Sequence, residues 1–393
     1  MKHIFFLKSG IENSIVLYIL LFLACLNFSG RGPVIFFFFC LWGYIKTYNI
    51  KMVWNTSAIC YSFMAIVAVI VSCVYFDEKD ILKAFVYYLA FAVGYKCYIA
   101  SKDRQSYIQR IVFFLFAGYL MNLLLTYYFN FIILGHVEGK RELYSIWTGE
   151  AFAVTLAGLM SCVPIAYSFY CFFCKHKWQY ILLGALSVFV VVVVNMGTAT
   201  RTPFVLMAVI YIAMLYELLR NKDGQNKKKI IIVCTLASFI IIYKVLPSMV
   251  NSAMAERFAE EGVTTSRNDI TLMYIHNMLE YPYGGSQILA KTKKLAHNFI
   301  LESYDMYSIF FFMFMIVLLL QICSRIYSLH RLSCKDESIY LLLAMYLSIG
   351  IQIMLEPVIG GYPQLLWTLF LIDGITMPYL RDYRRNKLIL TSH

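Results

Sequence analysis

ILLGALSVFVVVVVNMGTATRTPFVLMAVIYIAMLYELLR, residues 181–220, sets two long apolar runs on either side of a short polar turn, and that pattern decides the fold. At about 1.5 Å per residue, runs of this length come close, as helices, to the roughly 30 Å of a hydrocarbon core. Lipid offers no partner to a backbone N–H or C=O, so only helices and closed barrels can span it. The runs are continuous rather than alternating, which selects helices.

Runs of the same kind recur along the whole chain. We read twelve spans, roughly at 14–28, 33–48, 53–76, 81–99, 108–134, 151–174, 179–197, 203–219, 230–247, 299–323, 338–356 and 362–380. Of the 393 residues, 61% are hydrophobic and 14% charged, and the mean hydropathy is +0.69. A soluble domain of ordinary composition is excluded. The expected fold class is therefore all-α, a single polytopic membrane domain over 1–393. The first two spans form a hairpin broken at SGRGP (29–33). No cleavable signal peptide is evident there, because the turn leads straight into another apolar run, so the first helix is expected to stay as an anchor. The eleven cysteines are scattered and mostly intramembrane, and they read as small apolar packing residues. Cys171 and Cys174 have no second ligand pair nearby, and the DEKD run at 77–80 reads as a solvated loop, so no metal is expected.

The net charge is +12. With the N-terminus in the cytoplasm, most of the 34 basic residues fall inside, among them Lys46, Lys51, Lys102, Lys175, Lys227–Lys229, Arg325, Arg381 and Arg384. The excess is topological by the positive-inside rule, and nucleic acid is not an expected partner. Both termini are expected on the cytoplasmic side. Residues 248–298 then form a long outer loop between the ninth and tenth spans, and 135–150 is the other outer connection of substance. Loops of that length are usually functional.

Basic residues on the outer side are the informative ones, since the topology rule disfavours them. Arg201 stands in the turn NMGTATRTP and Arg141 in GKRELYSIW; each suits a lipid-borne anion, and each also suits plain snorkelling to lipid phosphate. In the long loop, Arg257 and Arg267 precede a stretch with Ile270, Met273, Tyr274, Asn277 and Met278 at helical spacing, stopped by Pro282 and Gly284-Gly285. A short surface helix is expected there, with an arginine at its start able to grip a diphosphate through bidentate contacts. Next comes LAHNFILES (295–303). Asn298, Glu302 and Asp305 are spaced by four and three, so they share one helix face and line a cavity where the tenth span begins. His297 sits just above that stripe, where a residue titrating near neutral pH can act as a base or hold a sugar hydroxyl. A helix-start histidine satisfied by backbone is the competing reading. Gln352 and Glu356, four apart near the outer end of the eleventh span, line the same cavity in this reading.

Taken together, TATRTP, the long outer loop, SRNDITLMYIHNMLEYPYGG, AHNFILE and GKRELYSIWTGEAFAVTLAGL resemble the O-antigen polymerase and O-antigen ligase superfamily over roughly residues 135–310. Thr200-Arg201-Thr202-Pro203 departs from the small residue, serine, arginine and glycine of that family's turn. The arginine-to-glycine spacing leaves both Arg257 and Arg267 as counterparts of the loop arginine, with Arg267 favoured. The resemblance implies a GT-C-like, metal-independent, inverting glycosyltransferase of the bacterial inner membrane with no cofactor. It implies undecaprenyl-diphosphate-linked oligosaccharide as donor and acceptor, membrane lipid around it, and a chain-length regulator protein as partner. Arg201 and Arg267, with Arg141 or Arg257, would neutralise the diphosphate; His297 would serve the attacking hydroxyl; Glu302 and Asp305 would hold the histidine or the acceptor. Polymerase is preferred to ligase on the Phe and Tyr richness and the absence of a ligase-like turn. A flippase or transporter is the third reading, disfavoured because no internal repeat is present.

Overall fold

A computed structural model describes residues 14–75, 78–136, 142–175, 177–221, 267–332 and 336–391. Arg141, Arg257 and the ninth expected span lie outside them. The described residues form fourteen α-helices and one short hairpin. We number them α1 (Ile15–Cys25), α2 (Gly32–Lys46), α3 (Thr56–Tyr75), α4 (Glu78–Ala100), α5 (Arg104–Tyr127), α6 (Thr155–Phe173), α7 (Trp178–Gly197), α8 (Thr202–Asn221), α9 (Arg267–Asn277), α10 (Gln287–Thr292), α11 (Phe299–Tyr307), α12 (Ile309–Arg331), α13 (Glu337–Ile353) and α14 (Pro363–Thr391).

Five of these are long and apolar enough to cross a membrane: α3, α5 with its π-helical extension to Ile133, α6, α7 and α12. Shorter apolar helices are α1, α2, α13 and the Thr202–Glu217 part of α8. Their outward faces support membrane insertion, since large apolar side chains stand exposed on α3 (Phe63, Ile66, Ile70), α7 (Leu182, Leu186, Phe189) and α12 (Met313, Val317, Leu320). Contiguous exposed apolar surface of that kind belongs in lipid.

The chain divides into two compact units. The first comprises Met1–Gly118, Asp269–Leu332 and Ile353–His393. Its centre is α4 against α14, whose backbones meet at Gly94 and Gly374: a Cβ on Gly94 would collide with Leu371 O, and one on Gly374 with Phe91 O. Small residues let helices approach in this way where lipid supplies no hydrophobic drive between them. Beside this contact lies buried Asp373, which Arg325 of α12 and the Tyr61 hydroxyl both engage.

The second unit comprises Tyr119–Asn268 and Ser333–Gln352. Here α6 is the buried helix, and Ser348 Oγ of α13 donates to Cys162 O at 2.6 Å. The outer connection at 135–150 contains an antiparallel hairpin that the all-α expectation omits, Glu142–Tyr144 paired with Ala151–Ala153. Asn130 fixes it to the end of the α5 extension, accepting from Tyr144 N at 2.7 Å and donating to Tyr144 O at 2.9 Å.

The expected tenth span, 299–323, is not one helix. It breaks at Ser308 (φ 98°), leaving α11 as a separate nine-residue helix and α12 alone as the span. The cause is the turn at 282–286. Gly285 N donates to Met306 O at 3.0 Å, Ser286 N to Asp305 O at 2.8 Å, and Ile309 N to Pro282 O at 3.0 Å. Groups that would have continued the helix ladder are thus taken by the turn. Gly284 makes the approach feasible, with φ +78° and no side chain; a Cβ there would lie 2.6 Å from Ser308 N.

Candidate functional site

The first unit contains the His297 region, and α11 organises it. Asn298 is the N-cap of α11: its backbone is extended and its side-chain oxygen accepts from Ile300 N at 2.8 Å. That role occupies the group expected to face a cavity, and it explains locally why a helix starts at Phe299.

Glu302 and Asp305 share a face of α11 as their spacing requires, but both carboxyls are buried against backbone. Glu302 accepts from Val358 N (2.8 Å), Ile359 N (2.9 Å) and Gly360 N (2.8 Å). Three successive N–H groups converging on one anion form a nest. The carboxylate therefore clamps the segment between α13 and α14 onto α11. Burial pushes the Glu302 carboxyl up to about 7, against the three N–H groups that pull it down. Asp305 accepts from Ile288 N at 2.8 Å and Leu289 N at 3.2 Å, the open N–H groups at the start of α10. Ser286 occupies the N-cap position of α10 with a left-handed backbone and makes no side-chain cap, so a carboxylate from another helix does that work. Burial raises the Asp305 carboxyl too, opposed by these two donors.

Helices α9, α10 and α11 form one package. Ile270, Tyr274, Ile288, Ala296 and Tyr304 make a small apolar core, with Met273, Met278, Leu301 and Phe312 against it. The expected face of the surface helix is thus the face it buries. Tyr274 Oη donates to Lys294 O at 2.8 Å, and Tyr304 Oη donates to Met278 O. On the outside, Lys291 bonds Glu280 at 2.9 Å and Asn277 at 3.0 Å, and its bond to Glu280 lowers the Glu280 carboxyl and raises the Lys291 amine. Arg267 is the first residue of α9.

His297 projects from just before α11. Its Nδ1 lies 3.7 Å from Glu356 Oε2, and the two side chains are 29% and 1% exposed. The carboxylate beside the histidine is therefore Glu356, not Glu302 or Asp305. Glu356 is also not on a helix face with Gln352: α13 ends at Ile353, and Glu356 opens the segment that Glu302 clamps. The two atoms, both buried, are too far apart for a hydrogen bond, so the structure sets a partly exposed imidazole beside a buried carboxyl without joining them.

Arg201 belongs to the second unit. It stands in the turn between α7 and α8, where Thr200 N donates to Asn195 O at 2.9 Å, the Thr198 and Thr200 hydroxyls meet at 2.8 Å, and Phe204 N donates to Arg201 O at 3.2 Å. Gly158 of α6 has Thr200, Pro203 and Gln352 side chains close by, so the turn is packed rather than loose.

The site thus combines His297, Glu356, Glu302 and Asp305 in a helical chain whose apolar spans support membrane insertion. No protein-family model and no curated protein matches the sequence.

Proposed function

We propose that the protein is a membrane glycosyltransferase that joins undecaprenyl-diphosphate-linked oligosaccharides on the outer face of a bacterial inner membrane, in the manner of an O-antigen polymerase. The observation that carries this reading is His297, part-exposed beside the buried Glu356 carboxylate at 3.7 Å, within the AHNFILE stretch that resembles the superfamily. An acceptor hydroxyl attacks the anomeric carbon of the donor sugar. Its proton passes to Nε2 of His297, the ring nitrogen other than the Nδ1 that lies beside Glu356. The new C–O bond forms as the bond from the anomeric carbon to the diphosphate oxygen breaks, and undecaprenyl diphosphate leaves with that electron pair.

The leaving diphosphate needs positive charge. Arg267 is our first choice, with Arg201, Arg257 and Arg141 as further ligands, because a guanidinium fork matches phosphate oxygens. Glu302 and Asp305 hold the backbone around the base and do not touch the reacting atoms. No cofactor enters the scheme; a chain-length regulator is the proposed protein partner.

The test is the lipopolysaccharide of a strain whose native copy is replaced by His297→Ala at normal protein level. A polymerase leaves core capped with a single repeat. Bare core with accumulated lipid-linked polymer would identify a ligase, and unpolymerised units held on the cytoplasmic leaflet a flippase. Full-length polymer from the variant would remove His297 from the chemistry.

A further inference from the structure

At the other end of the first unit from His297, a cavity of about 440 Å³ opens between the N-terminus of α3 and the C-terminal halves of α12 and α14. Its polar lining includes Ser57, Gln321, Ser324, Arg325, Arg381 and Arg384, and no acidic residue among the described ones lines it. Arg325 is spoken for: its guanidinium engages buried Asp373 and also the Ser57 hydroxyl, forming a neutral, hydrogen-bonded floor. Arg381 and Arg384 are different. Arg381 Nη1 meets the Tyr95 hydroxyl at 3.2 Å and its guanidinium that ring's face, while Arg384 Nη2 meets the Ser328 hydroxyl at 3.0 Å. Asp382, between them in sequence, is held by Arg104 at 2.5 Å. Two cations three residues apart therefore share one helix face above a cavity with no carboxylate among the described residues to balance them.

We propose that this cavity binds the phosphate headgroup of an anionic membrane lipid. The forks of Arg381 and Arg384 and the Ser324 hydroxyl are donors for phosphate oxygens, whereas the Ser57 hydroxyl is already given to Gln321 and that of Ser328 to Ser324 O. Size separates a headgroup from a bare anion: 440 Å³ is room on the order of fifteen waters at their liquid volume, far more than inorganic phosphate fills. The walls also continue as exposed apolar surface, Ile59 and Phe63 on α3 along the face of the lining residue Thr56, and Val317 and Leu320 on α12 beside Gln321. A phosphate at the mouth with acyl chains along those helices meets complementary surface at both ends. Positive-inside topology puts this end at the cytoplasmic leaflet, where anionic lipid and polybasic protein surface attract.

The test is thermal unfolding of the full chain in neutral detergent with added short-chain phosphatidylglycerol, phosphatidylcholine or inorganic phosphate. Phosphatidylglycerol should stabilise the wild type saturably, with neither of the others matching it. Arg381→Gln/Arg384→Gln should raise the half-saturating concentration by about tenfold or more. Ser324→Trp, which fills the cavity without changing charge, should do the same. Lys102→Gln/Lys177→Gln, an equal charge change outside the cavity, should not. Equal loss from that control, retained binding in Ser324→Trp, or full replacement of the lipid by inorganic phosphate would each overturn the proposal.

Discussion

Replacing Glu302 separates two contributions of one buried carboxyl, its acceptor atoms and its charge. Glu302→Ala removes both acceptors and leaves Val358, Ile359 and Gly360 N–H groups orphaned in a mostly buried place. At roughly 1–3 kcal/mol per orphaned donor, less whatever water recovers, the loss should be about 3–6 kcal/mol. Glu302→Gln keeps an oxygen that can still serve the Val358 and Ile359 pair, and its amide turns towards Gly360, losing one bond. It is also a mimic of the protonated acid. A folded-state value of about 7 against 4.5 means the folded protein holds its proton longer than the unfolded chain. The Glu302 contribution to stability is then complete below pH 4.5 and lost as pH rises from 4.5 to about 7, a total of about 3 kcal/mol. Wild type and Glu302→Gln should therefore be close in stability near pH 4.5, and the glutamine variant should lack the decline that the wild type shows towards pH 7. Unfolding in detergent across that range measures the slope, and hydrogen exchange of the 357–361 segment reports the clamp itself. An alanine variant with wild-type stability and undiminished protection at 358–360 would refute the clamp. A glutamine variant that falls below the wild type as pH rises past 7 would show that the three donors outweigh burial, reversing the upward shift of the Glu302 carboxyl.

Three further outcomes are expected. Gly284→Ala must place a Cβ 2.6 Å from Ser308 N at a φ of +78°, and should cost about 1–3 kcal/mol or straighten α11 into α12; a melting curve like the wild type's would show that the turn tolerates a side chain. Under the proposed transfer reaction, Glu356→Gln keeps the shape of the acid beside His297 but not its second acceptor oxygen, so the initial rate should fall by about 10²-fold, and a wild-type rate would remove Glu356 from the chemistry. Arg267→Lys should depress activity although charge is kept, because an ammonium lacks the fork; unchanged turnover would leave Arg267 as the opening residue of α9 and nothing more.

The membrane-helical class is legible in the sequence because it rests on local composition: a run such as 179–197 needs no partner to declare itself, and α7 is found at Trp178–Gly197. The short helix at Arg267–Asn277 is legible too, since Ile270 and Tyr274 fall on one face by spacing alone and are the residues buried. The break at Ser308 is not, because nothing in FILESYDMYSIFF disfavours a helix; it arises when N–H and C=O groups of 282–286 displace the ladder from outside. Glu356 stands out as an intramembrane acid, but pairing it with His297 requires knowing that α13 stops at Ile353 and that the next segment returns to α11. Asn298 invites a chemical role, yet its type and place are those of an N-cap. The hairpin at 142–153 lacks a signal because each strand is only three residues long.

The two acids of α11 answer a physical demand that precedes any catalysis. Irregular backbone near lipid must find partners inside the protein, since the surroundings supply none. The start of α10 and the segment before α14 are both irregular, and together they present five N–H groups that Asp305 and Glu302 accept. A hydroxyl has too few lone pairs in reach, whereas the two oxygens of a carboxyl reach every donor of such a cluster and an amide keeps one of those oxygens. The intramembrane-acid rule, which makes every buried carboxylate a functional suspect, therefore separates into two cases in this chain. Glu302 and Asp305 are occupied by backbone, and what they position is the loop that sets Glu356 beside His297. The acid to test for chemistry is consequently the one whose neighbour is a histidine, and the acids nearest to that histidine in sequence are those to test for fold.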